Sequence, residues 1–114
     1  MAYTNLRYLK TITEENSAIV REMIEMFTVQ VPDFIKNMKM HYDSKQFIAL
    51  GKEAHKSKSS LQIMGMNELE KEMKDFQLKT IEGTDIESYP KYIALFETQC
   101  LAAVEELKVE LASM

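Results

Sequence analysis

The chain has 114 residues, enough for one core but not for two domains, and carries a formal net charge of −4 at pH 7. Beyond one local lysine cluster it has no basic stripe for nucleic acid, and no apolar run approaches the roughly 20 residues that span a bilayer. With no signal-peptide pattern and a single cysteine, Cys100, it is expected to be a cytoplasmic protein without an internal disulfide.

Three glycines, two prolines and no alternating β-branched runs predict an all-α fold. Residues 1–12 form a short first helix, capped by Thr4, with Leu6, Leu9 and Ile12 on one apolar edge. It is too short to stand alone and must lean on a larger body. Thr13, followed by Glu14 and Glu15, marks the next helix start, where side-chain oxygens and acidic groups suit the free amides. Ile19, Met23, Phe27, Val31, Phe34 and Met38 then recur at steps of three or four. Pro32 removes one amide donor and crowds the carbonyl of Thr28. The stripe keeps its phase across it, so the spacing predicts one long helix to about Tyr42, kinked near Pro32.

Asp43 and Ser44 cap a third helix whose core stripe is Phe47, Leu50, Ala54, Ser57, Leu61 and Met64, with Gly65 as its stop. Ser57 is a polar residue on that stripe, its hydroxyl expected to bond back to the carbonyl of Glu53. Asn67 and Glu70 make a capping-box-like start to a fourth helix. It turns Leu69, Met73 and Phe76 inward, with Gln77 beside them and Gly83 at its end. The last helix begins between Asp85 and Ser88, tolerates Pro90 in its first turn, and buries Tyr92, Phe96, Cys100, Ala103, Leu107 and Leu111. Cys100 reads as a core residue, because no cation lies near it in sequence to activate a thiolate. Together these helices predict a single domain over residues 1–114. Its architecture is an antiparallel up-and-down four-helix bundle with an extra short N-terminal helix over one end.

The third helix carries the stretch that points to chemistry. At about 100° per residue, His55 shares a face with Ile48, Gly51, Lys52, Lys58, Ser59 and Gln62. Two ammonium groups, Lys52 and Lys58, stand three residues away on either side. One turn away, Gly51 and Ser59 offer almost no side chain. This suits a nucleophile that another macromolecule must approach and that must then carry negative charge. The same residues also describe a plain solvated face, with Gly51 serving a close helix crossing. Glycine inside a helix costs about 1 kcal/mol against alanine, so it has some such reason.

Other chemistries fit poorly. A di-iron bundle needs Glu-x-x-His pairs, whereas Lys52 precedes His55 and Met38 precedes His41 at that spacing. Ammonium groups beside His55 would also repel a cation, so no metal is expected. His41, near a helix C-terminus, lies where a partly positive imidazole is favoured. No acidic residue is placed to orient His55 against a serine, since Glu53 points about 160° away. No glycine-rich loop cradles a nucleotide phosphate. Phosphoryl transfer through His55 remains. A neutral imidazole has a lone pair for phosphorus, lysines neutralise the phosphoryl charge, and such transfer depends mainly on in-line positioning and charge neutralisation.

Ala54-His55-x-x-Lys58-x-Ser60, with Gly65 ten residues after the histidine, resembles the histidine phosphotransfer (HPt) domain family of multistep phosphorelays. In helix order the resemblance covers nearly the whole chain. It implies that His55 is the phosphorylated residue and that Lys58 helps hold the phosphoryl group. It also implies that Gln77, 22 residues after the histidine, lies near the imidazole, as in some members. Gly51, Lys52, Ser59 and Gln62 would form the access and docking face. The implied function is that of a phosphoryl carrier, not an enzyme. One receiver domain's aspartyl phosphate would load His55 and a second receiver would unload it. The receivers would supply Mg²⁺, and the chain itself would hold no cofactor. Response-regulator receiver domains and a hybrid histidine kinase are the expected partners of a monomeric protein. Two positions depart from the family pattern: Ser59 stands where glycine is usual, and Ser57 where an apolar residue, commonly leucine, is usual. The competing reading is a non-phosphorylated helical adaptor that docks receiver or other signalling domains.

Overall fold

A computed structural model describes residues 2–114, and these are all-helical, with no strand among them. The elements are α1 (Arg7–Ile12), α2 (Ser17–Asp43), α3 (Phe47–Ile63), α4 (Asn67–Glu82), a 3₁₀ turn (Ile86–Ser88) and α5 (Tyr89–Ala112). Met1, at the start of the expected first helix, lies outside the described residues. The molecule measures 43 × 24 × 20 Å. No helix among the described residues is long and apolar enough to cross a membrane.

Helix α2 runs unbroken through Pro32, whose ring faces solvent. It buries Val20, Ile24, Phe27, Val31, Phe34, Ile35 and Met38, which corrects the first two turns of the expected stripe. Ile19 is 42% exposed, and Met23 only packs against the core's edge. Counting back from Phe27, steps of three and of four fall on opposite flanks of the stripe, and the core lies on the flank of Ile24. The start is also displaced. Asn16, not Thr13, caps α2, accepting from the amides of Ala18 and Ile19. Thr13 instead closes α1, donating its hydroxyl to the Leu9 carbonyl at 2.8 Å. Glu14 and Glu15 lie in the link at positive φ, 52° and 58°, not in the first helical turn.

Three further caps differ from expectation. Thr4 is occupied by Glu106 of α5, and the Asn5 side chain accepts from the amide of Arg7 at 3.0 Å in its place. Asp43 ends α2, and the Ser44 hydroxyl donates back to the Met40 carbonyl, so neither caps α3. Asn67 is the first residue of α4 rather than its cap, and the expected box with Glu70 does not form. The helix stops do follow the glycines. Gly65 and Gly83 take positive φ, 73° and 69°, and the amide of Met66 donates to the Leu61 carbonyl at 2.9 Å to close α3. A side chain at Gly65 would collide with the backbone of Asn5, whose amide donates to the Met64 carbonyl at 2.9 Å. The N-terminal segment is thereby seated on the α3–α4 turn.

Helix α3 packs on α4 and α2, and α5 packs on α2 and α4. The α2–α3 pair is joined by Gln30 to Ser60 and Asn37 to Glu53. The α2–α5 pair is joined by Phe34 to Phe96 and Lys39 to Glu97. At one end an aromatic cluster locks α3, α4 and α5. Tyr89 meets Phe47 at 5.4 Å and Phe76 at 5.5 Å, and Phe76 stacks on Tyr92 at 4.9 Å. Tyr89 is fully buried and its hydroxyl donates to the Lys79 carbonyl at 2.9 Å. Burial pushes that hydroxyl's pKa up. Cys100 is also fully buried, its thiol pushed up to about 12 by burial.

Candidate functional site

Helix α3 presents two faces. Leu50, Ala54, Ser57 and Leu61 are buried against its neighbours, while His55, one residue from the buried Ala54, is exposed. His55 Nδ1 lies 3.2 Å from Oε1 of Gln77, a half-buried residue of α4. A carbonyl oxygen only accepts, so the contact is a hydrogen bond when Nδ1 carries the proton, and Nε2 then holds the lone pair.

The charged residues nearest His55 along α3 are mostly lysines. Lys52 and Lys56 are exposed and Lys58 is half-buried. The salt bridges among the described residues are Arg21–Glu25, Lys39–Glu97, Lys79–Asp85 and Lys108–Glu105, so none of the three lysines has an acidic partner. The one acidic residue of α3, Glu53, is buried on the side facing α2, where Asn37 Nδ2 donates to its Oε2 at 3.1 Å. It takes no part in orienting His55. Among the described residues no group of His, Cys, Asp and Glu gathers as a metal site.

Of the expected docking face, Lys52, Ser59 and Gln62 are exposed, but Gly51 is buried. The reading of Gly51 as open space for a partner is corrected. It lies under α4, where an added Cβ would overlap the Thr80 hydroxyl. Gln62 lines a cleft of about 420 Å³ with Arg7, Tyr8 and Thr11, so α1 borders the far end of the His55 face. Ser57, fully buried, donates its hydroxyl to the carbonyl of Ala54 at 2.7 Å rather than to that of Glu53.

Two residues that pack on α3 stand outside the expected site. Gln30 of α2 accepts the Ser60 hydroxyl at 3.0 Å, and nothing in α2's own periodicity marks it. Thr80, 2% exposed, continues the stripe Leu69, Met73, Phe76, and that spacing alone would have placed it inside.

No protein-family model, curated protein or solved structure matches the chain.

Proposed function

We propose that the protein is a phosphoryl carrier of the histidine phosphotransfer type, phosphorylated on His55. The observation that carries this reading is the exposed imidazole whose Nδ1 meets Gln77 Oε1, beside three lysines without acidic partners. Nε2 attacks the phosphorus of an acyl phosphate on a receiver's aspartate. The N–P bond forms as the bond between phosphorus and the carboxyl oxygen breaks, and the aspartate leaves as a carboxylate. The Nδ1 proton stays on the ring, and the Gln77 carbonyl faces the positive charge that develops there. Lys58 neutralises the phosphoryl oxygens. Transfer to a second receiver reverses the step, and the receivers supply the Mg²⁺ and the remaining catalytic groups.

The fold reading belongs with this proposal: α2–α5 form an antiparallel up-and-down four-helix bundle, with α1 as the extra short helix. Supporting it, contacts pair rising with falling residue numbers: Gln30 with Ser60 and Asn37 with Glu53, Arg21 with Leu111 and Phe34 with Phe96. The proposed partners are response-regulator receiver domains and a hybrid histidine kinase, met by a cytoplasmic monomer. Incubation with a phosphorylated receiver domain tests the proposal: label passes to the parent protein and not to His55→Gln. Receiver binding without any transfer would favour the adaptor reading.

A further inference from the structure

We infer that Gly51 and Thr80 are positioning residues for His55: their contact fixes α4 against α3 so that Gln77 holds the imidazole in its Nδ1–H form. The consequence for transfer rests on the function proposed above, whereas the tautomer is a property of the resting protein.

Gly51 lies one turn before His55 and is buried. A Cβ there would overlap Thr80 Oγ1, stand 3.1 Å from Thr80 Cβ and 3.7 Å from the Gln77 carbonyl oxygen. The α3 backbone therefore rests directly on the Thr80 side chain and the Gln77 peptide. Thr80 has little freedom to yield, being 2% exposed, with its hydroxyl donating to the Gln77 carbonyl at 2.7 Å. One end of Gln77 is thus held at Gly51, and the other reaches His55 Nδ1 at 3.2 Å.

That reach leaves little slack. Hydrogen bonds weaken quickly beyond about 3.2 Å, so separating α3 from α4 by a fraction of an ångström at this level breaks the Gln77 contact. Either ring nitrogen can then hold the proton, and a ring protonated at Nε2 has no lone pair there to attack phosphorus. A purely structural glycine would affect stability without favouring one tautomer.

The test is nitrogen-15 NMR of the imidazole in unphosphorylated protein at mildly alkaline pH. The parent shows the Nδ1–H pattern. Gly51→Ala loses it, giving mixed or Nε2–H signals, and its transfer rate from a phosphorylated receiver falls on the order of tenfold or more. In the double variant Gly51→Ala/Thr80→Gly both the hydroxyl and the Cβ that the added methyl would crowd are gone, leaving the Gln77 carbonyl oxygen at 3.7 Å as its nearest neighbour, so the Nδ1–H pattern and the rate return. If Gly51→Ala does not fold, the double variant decides by the same criterion. Retention of the Nδ1–H pattern in Gly51→Ala, or its absence from a folded double variant, overturns the inference. A tautomer response without labelling of His55 upholds the inference and removes the proposed function. Labelling of His55 with an unchanged tautomer in Gly51→Ala does the reverse.

Discussion

Thr4 and Glu106 lie 102 residues apart and are joined twice: the Thr4 amide donates to Glu106 Oε1 at 2.9 Å, and the Thr4 hydroxyl donates to the same oxygen. The amide of Tyr3 donates to Oε2 at 2.8 Å. This strap leads directly into Asn5, which packs on Gly65, and so into α1. Burial pushes the Glu106 carboxyl up, but the Thr4 and Tyr3 hydrogen bonds outweigh it and hold the group below the ordinary glutamate value.

A carboxyl depressed in the folded state contributes stability above its unfolded pKa, and that contribution is lost as pH falls through the folded value. Acidification below about pH 4.3, the ordinary glutamate value, should therefore loosen the N-terminal segment. Because Glu106 is only half-buried, the worth of the strap is set at about 1 kcal/mol. Glu106→Gln should lower stability by that amount, flatten the acid limb of the melting curve and speed hydrogen exchange in α1. Unchanged exchange in α1 would show that the strap does not hold it.

Ser57 is fully buried and its hydroxyl is satisfied within α3. Replacing it with leucine, the residue common in the resembled family, adds volume at a position closed to solvent. Ser57→Leu should cost about 1–3 kcal/mol, while Ser57→Ala should stay within about 1 kcal/mol of the parent. Thermal melts decide, and a higher melting temperature for Ser57→Leu would contradict the packing described.

Lys58 has no acidic partner, so its removal should leave the fold nearly untouched, within about 0.5 kcal/mol. One lost charge-assisted contact to the phosphoryl group is worth about 1.5–3 kcal/mol. Lys58→Ala should therefore slow phosphorylation of His55 on the order of tenfold to a hundredfold, with Lys52→Ala showing a smaller effect. Stopped-flow transfer from one phosphorylated receiver measures both. Equal effects of the two substitutions would remove the special role given to Lys58.

Ser59 is exposed one turn after His55, where a long side chain would keep a receiver's aspartate at a distance. A misplacement of about 1 Å can cost about a hundredfold in rate. Ser59→Gln keeps good helix propensity and should fold normally while transferring far more slowly; Ser59→Gly should transfer at least as fast as the parent. Transfer by Ser59→Gln at the parent rate would mean that partners do not dock on this face.

The inward stripes of α3, α4 and most of α5 were legible because period and burial coincide there: Leu50, Ala54, Ser57 and Leu61 need only a count of residues. Caps were less legible. Thr13 and Asn16 are both good cap residues, and choosing between them requires knowing that Thr13 is used to end α1. Tyr89 lies in the first turn of α5, one step of three before the stripe is counted from Tyr92, and its burial depends on Phe47 and Phe76 of other helices. Gly51 shows the limit of reading one helix alone. It lies only about 40° from His55 around the axis, yet the edge of α4 falls between them, burying one and exposing the other. Gln77 came from the resemblance, since neither helix by itself indicates what faces His55.

The most direct measurement is the site and chemistry of phosphorylation after incubation with a phosphorylated receiver domain. The account predicts one phosphoryl group per chain, mapped by mass spectrometry to His55, labile in acid and stable in base as a phosphoramidate is. It also predicts that a folded His55→Gln variant takes up none. Label that persists in His55→Gln, or that maps to His41 or to a serine, would contradict it.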